Sequence, residues 1–236
     1  MNIAEIRNAY QAARAKGLRA RDAAEHIGLS EGAALAAHLG NHEQPTRSVA
    51  LRPDWLALLK SLQACGPLLA LTRNRSVVHE KTGVYEKLSA QNEVGLALGK
   101  EIDLRLFFKQ WHAGLAVTEL HADADKPASS SLQFFNRHGQ AVHKVFLRDS
   151  SDRAAWQAVL DQWQDPHAAT PAFDPPTAIA PKTAEPAVDA AAFATSWANM
   201  SDVHQFFPLL REYGVERQHG LRLVEGRFTR RVSHAS

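Results

Sequence analysis

Apolar residues recur at helical spacing through residues 3–16, and Gly17 follows as a stop. RARDAAEHIGLSEGAALAAHLG then predicts two short helices, the first ended by Gly28 and the second capped by Ser30. After DWLALLKSLQACG the period shortens. PLLALTR, SVVHEK, VGLALG, EIDLRLFFKQW, GLAVTEL, SSLQFFNRHG and AVHKVFLRD are strand-length runs bounded by Gly, Asn or Asp. Their spacing predicts hairpins in a large antiparallel sheet. In EIDLRLFF, Ile102, Leu104, Leu106 and Phe108 share one face, while Asp103, Arg105 and Phe107 point the other way. Residues 152–163 predict a helix that packs on the sheet through Trp156, Leu160 and Trp163. Helices, then strands, then a helix give an α+β fold, with N-terminal helices and a large antiparallel β-sheet.

The pattern also divides the chain. Residues 1–163 read as one α+β domain. Residues 164–187 are rich in Pro and Ala without periodicity, which predicts a semi-extended linker. Order resumes over 188–236. A weak repeat links the two ordered parts at an offset of 186 residues. Gly28-Leu29-Ser30 lies over Gly214-Val215-Glu216, and Leu35 over Leu221. Residues 188–236 therefore read as the helical start of a second copy whose strands are missing.

Composition narrows the chemistry. The chain has 236 residues, 45% hydrophobic and 22% charged, with a formal net charge of +2. That balance weighs against a surface built mainly for nucleic acid. Cys65 is the sole cysteine, so neither an intramolecular disulfide nor a thiolate cluster can form within one chain. The start lacks an apolar signal core and no run is long enough to span a membrane, so a reducing cytoplasm is expected. No GxGxxG or P-loop is present. VHEKTG has His79 and Glu80 but not the second histidine of a zincin site. With twelve histidines, His79 with His143, or His112 with His121, are open metal pairings. Residues 18–40 suggest a helix-turn-helix on DNA, but EGAALAAHL has no Arg, Lys, Asn or Gln to read bases. A plain helical packing unit fits these residues better.

SDVHQFFPLLREYGVERQHG, residues 201–220, holds the least ordinary histidine. Ser201 reads as an N-cap, which places His204 in the first helical turn. The positive end of a helix dipole disfavours imidazolium there, and a neutral imidazole is what a metal takes. On local grounds His204 also fits a capping or surface role. Arg105 fits a solvated side chain, paired with Asp103, and Arg217 fits an ordinary helix-start charge.

Four segments taken together change this. LTRNRSVVHEKTGVYEKL, GKEIDLRLFFKQWHAGLAV, SLQFFNRHGQAVHKVFL and SDVHQFFPLLREYGVERQHGLRL resemble the cytoplasmic haem-utilisation proteins of Gram-negative bacteria, the HemS, ChuS, HmuS and PhuS group. The resemblance spans nearly the whole chain, and DVHQFF and EIDLRLFF are its most specific parts. It implies two repeated halves with haem b (hemin) bound between them. It implies His204 as the axial iron ligand, Arg105 on the opposite face of the haem, and Arg217 on a propionate. Each role suits its residue, since imidazole ligates haem iron and guanidinium matches a carboxylate. It further implies work in bacterial iron acquisition, beside a haem import ABC transporter or a haem oxygenase. Some members carry haem. Others open the ring with O2 and an external electron donor, which would make Arg105 a distal catalytic residue. The strands of a second half are absent from this sequence, so the expected pocket is open on one side and weaker, unless another chain completes it.

Overall fold

The computed structural model describes residues 1–40, 42–74, 77–120, 125–175 and 184–232. The chain forms two compact units, Met1–Pro176 and Thr177–Ser236. The first opens with three helices, α1 (Ile3–Ala15), α2 (Ala20–His26) and α3 (Glu31–Ala36). Next come β1 (Thr46–Leu51), α4 (Trp55–Ser61), β2 (Leu68–Arg73), β3 (Val78–Gly83), β4 (Ser89–Gln91), β5 (Val94–Leu98) and β6 (Asp103–Phe107). β7 (Ala113–Glu119), β8 (Ser129–Phe135), β9 (Ala141–Phe146), α5 (Arg153–Trp163) and the two-residue β10 (Gln164–Asp165) complete the unit. The fold is α+β, as expected. The strands build two sheets rather than one, in the orders β10-β1-β7-β8-β9-β2-β3 and β4-β5-β6.

Alternation along the strands sorts the core into two layers. On one face of the large sheet, Ala50, Leu115, Val117 and Phe135 pack against Tyr10, Ala24 and Leu35 of α1–α3. On the other, Leu132, Phe134 and Val145 pack against Trp55 and Leu58 of α4 and Trp156, Leu160 and Trp163 of α5. The small sheet joins this second layer through Ala97 and Leu106, with Tyr85 and Ile102 beside them. The helix ends follow local chemistry. Ser30 Oγ accepts from the Ala33 amide, and Asp152 caps α5. Gly28 takes φ +75° after α2, a left-handed value that suits glycine.

α3 is packed inwards, with Glu31, Gly32, Ala34, Leu35 and Ala36 buried. Glu31 forms a buried 2.5 Å ion pair with Lys144 of β9. The Gly32 amide donates to the Gly139 carbonyl at 2.8 Å. The helix that would read DNA in a helix-turn-helix is therefore part of the core, which overturns that reading of residues 18–40.

The segment expected to be a linker starts on the first unit. β10 pairs with β1, Phe173 packs on the α1–α3 layer, and Asp174 pairs with Arg137 at 2.8 Å. Residues 176–183 lie outside the described residues. The second unit contains α6 (Ala190–Ala198), α7 (Phe206–Glu212) and α8 (Arg217–Leu223) around Phe193, Leu209, Leu210 and Val215. At the offset that carries Gly28 onto Gly214, α2 lands on α7 and α3 on α8. Gly214 repeats the left-handed turn at φ +63°.

The two layers each bury a histidine. His143 accepts or donates at both nitrogens, with Tyr85 Oη at 2.7 Å and Thr72 Oγ1 at 3.0 Å. Burial lowers it from 6.5 to about 3. Burial lowers His38 to about 4, and its Nδ1 lies 2.9 Å from the Ala34 carbonyl oxygen. Between those values and 6.5 the unfolded chain binds protons that the folded chain refuses. Stability should therefore fall as pH drops from about 6.5 towards 4, by up to about 1.4 kcal/mol per pH unit for each histidine. Urea midpoints across that range check it, and His143→Gln should flatten the slope while lowering stability at neutral pH.

Candidate functional site

The small sheet has one core to face, so its other side is left outward. Register places Val94 opposite Phe107, Leu96 opposite Arg105 and Leu98 opposite Asp103. Leu106 is buried at 3% exposure, whereas Phe107 is 56% exposed and Leu98 45%. Arg105 thus stands among Val94, Leu96, Leu98 and Phe107 on an open, mostly apolar sheet face. Its guanidinium makes no ion pair among the described residues, so the expected pairing with Asp103 does not form. Gly95 makes this sheet possible. A Cβ there would meet the Phe108 ring at 2.6 Å, and Phe108 packs across β5 towards the core.

In the second unit, the stretch before α7 is a short 3-10 turn, Val203–Gln205. Asp202 caps it, not Ser201, by accepting from the His204 amide at 2.7 Å. His204 therefore precedes α7 instead of sitting in its first turn, and the dipole argument gives way to a nearer carboxylate. The same Asp202 Oδ1 lies 2.6 Å from His204 Nδ1. The His204 amide, then its ring, hold the Asp202 carboxyl below the usual carboxylate range. An ionised carboxylate only accepts, so Nδ1 carries a proton, and in the neutral ring Nε2 is the nitrogen left with a lone pair. The ring is 91% exposed. Ser201 and Gln205 brace the turn from behind, with the Ser201 amide donating to Gln205 Oε1 at 2.9 Å.

Exposed apolar side chains flank this imidazole, with Val203 at 81% and Phe207 at 59%. Phe207 also lines an open depression of about 240 Å³ with Leu210, Arg211, Val215, Glu216 and Arg217. The depression thus gathers Arg217, expected at the site, and Arg211, which the sequence reading passed over. Neither arginine forms an ion pair among the described residues. Arg211 was legible as the residue one helical turn beyond Phe207 on its own face.

Of the alternative metal pairings, His79 with His143 does not assemble, because both ring nitrogens of His143 are engaged. His143 is locked between Tyr85 and Thr72, and His112 Nε2 lies 2.8 Å from the Ala172 carbonyl oxygen. His121 lies outside the described residues. No group of three or more His, Cys, Asp or Glu among the described residues could hold a metal ion. Cys65 is buried, and burial pushes its thiol up to about 11, so it is a packing residue. No helix among the described residues is long and apolar enough to cross a membrane.

Comparison with known proteins gives this geometry a family. The model of the haemin-degrading HemS/ChuX domain matches residues 28–163. The chain belongs to the HemS/ChuX family. It is 36% identical to the hemin transport protein HmuS of Yersinia pestis, over 88% of this chain and 58% of that protein. Holo-PhuS of Pseudomonas aeruginosa, a heme-binding protein, superposes with a TM-score of 0.82 at 39% identity, covering 96% of this chain and 64% of PhuS. ChuS of Escherichia coli O157:H7, a heme degrading enzyme, gives 0.75 at 26% identity, covering 94% and 62%. The chain thus spans about three-fifths of the length of these HemS/ChuX relatives.

Exposure makes the site separable from the fold. His204→Ala and Arg105→Ala should each change unfolding free energy by no more than about 0.5 kcal/mol. Gly95→Ala should lose about 1–3 kcal/mol, because Phe108 must leave its place. Urea denaturation of the three variants checks this.

Proposed function

We propose that the chain binds haem, with His204 as the axial ligand to iron. The observation that carries this reading is the solvent-facing Nε2 of an imidazole whose other nitrogen is held by Asp202. A metal-binding histidine needs that arrangement, because the second nitrogen fixes tautomer and direction. The surroundings suit a flat apolar macrocycle with two carboxylates. Val203 and Phe207 offer apolar contact. Arg217, with Arg211 in the same depression, offers guanidinium to a propionate.

Unit 1 contributes to the same function through Arg105 and the apolar sheet face around it. A lone guanidinium on such a face gives a polar hydrogen-bond donor within an apolar contact area, which suits a porphyrin better than water alone. Haem supplies the redox chemistry of its iron when bound. The chain would hold and orient it, and Arg105 would offer a charged hydrogen-bond donor at the haem. The family, and the roles of HmuS, PhuS and ChuS, support work in haem uptake and iron acquisition. Delivery to or from a haem import transporter or a haem oxygenase, in the cytoplasm, is the role that fits them.

Titration of the purified chain with hemin, followed by absorption, tests the reading. The Soret band should shift and saturate near one haem per chain. His204→Ala should lose that shift and weaken binding about tenfold or more, equivalent to about 1.4 kcal/mol. Arg105→Ala and Arg217→Ala should weaken binding while keeping the histidine-ligated band. No saturable change, or a band indifferent to His204, overturns the proposal.

A further inference from the structure

We propose that Asp202 is a positioning residue for His204, fixing the imidazole tautomer and raising its donor strength towards iron. The inference rests on the reading of His204 as haem ligand. It starts from one oxygen doing two things. Asp202 Oδ1 accepts the His204 amide at 2.7 Å and lies 2.6 Å from His204 Nδ1. The backbone bond locks the carboxylate in place, so the ring bond inherits a fixed direction. The Ser201–Gln205 contacts brace the turn on its other side.

The Asp-x-His spacing makes this local and independent of the rest of the unit. Free imidazole carries its proton on either nitrogen. A carboxylate at Nδ1 selects the tautomer that leaves Nε2 as the donor, and pulls the Nδ1 proton towards itself. In open water such a bond is competed for by solvent, since His204 is 91% and Asp202 57% exposed. Haem bound at Nε2 would shield that side of the ring from water, and the charge-assisted bond would strengthen as the local dielectric falls. Asp202 therefore acts most strongly once haem is seated, as a lever on the iron rather than a contact with it.

Two variants separate charge from geometry. Asp202→Asn keeps an acceptor for the backbone amide and the ring but removes the charge. Asp202→Ala removes both. In the haem-free chain, nitrogen NMR of the neutral His204 ring should show the Nδ1–H tautomer dominant in the parent and lost in Asp202→Ala. With hemin bound and reduced without oxygen, the iron–histidine stretch by resonance Raman should fall in Asp202→Asn and the reduction potential should rise. Hemin affinity should fall about tenfold in Asp202→Ala, at the low end for loss of an outer partner of a metal ligand. A haem spectrum that depends on His204 but leaves stretch, potential and tautomer unchanged in both Asp202 variants overturns this proposal alone. A haem spectrum that ignores His204→Ala overturns the ligand reading, and the role of Asp202 towards iron falls with it.

Discussion

A β-strand sends its side chains alternately to two faces, and the small sheet of the first unit has only one core to fill. Everything distinctive about Arg105 follows from that constraint. Leu106 and Ala97 go inwards to the layer of Trp111, Phe134 and Val145. Their neighbours in sequence must then go outwards, including Phe107 and Leu98, which are large and apolar. A chain gains nothing from leaving such groups in water unless something else covers them. The guanidinium among them forms no ion pair among the described residues, so the face has both apolar area and an unspent hydrogen-bonding group.

The second unit reaches a comparable state by another route. Its core of Phe193, Leu209 and Leu210 fixes the three helices, and the chain enters α7 through a single 3-10 turn. That turn needs a cap, and the cap chosen is a carboxylate that also reaches the ring two residues on. Local backbone chemistry thereby aims an imidazole that is 91% exposed. Each unit thus presents groups that the fold itself does not use, and the proposed haem-binding role falls to those groups.

Much of this was legible in the sequence. The strand runs from Pro67 to Asp149, the inward and outward faces of EIDLRLFF and the helix over 152–163 follow from periodicity alone. β1 escaped because three of its four buried positions are Thr46, Ser48 and Ala50, small or polar residues that give no hydrophobic alternation, with Leu51 the other. The division into two sheets escaped because β1–β7 and β2–β9 join distant segments, which no local pattern encodes. At the site, His204, Arg105 and Arg217 came from motif resemblance rather than from spacing. Asp202 was visible, but Ser201 beside it is an equally good cap by type. Choosing between them takes the backbone, where Asp202 is extended at φ −146° and ψ 140° and its side chain turns back onto the His204 amide.

The measurement closest to the central claim is a crystal structure of the chain grown with hemin. The account predicts iron bonded to Nε2 of His204, with Nδ1 still on Asp202. Iron held by another histidine, or haem lying away from residues 201–220, would contradict it.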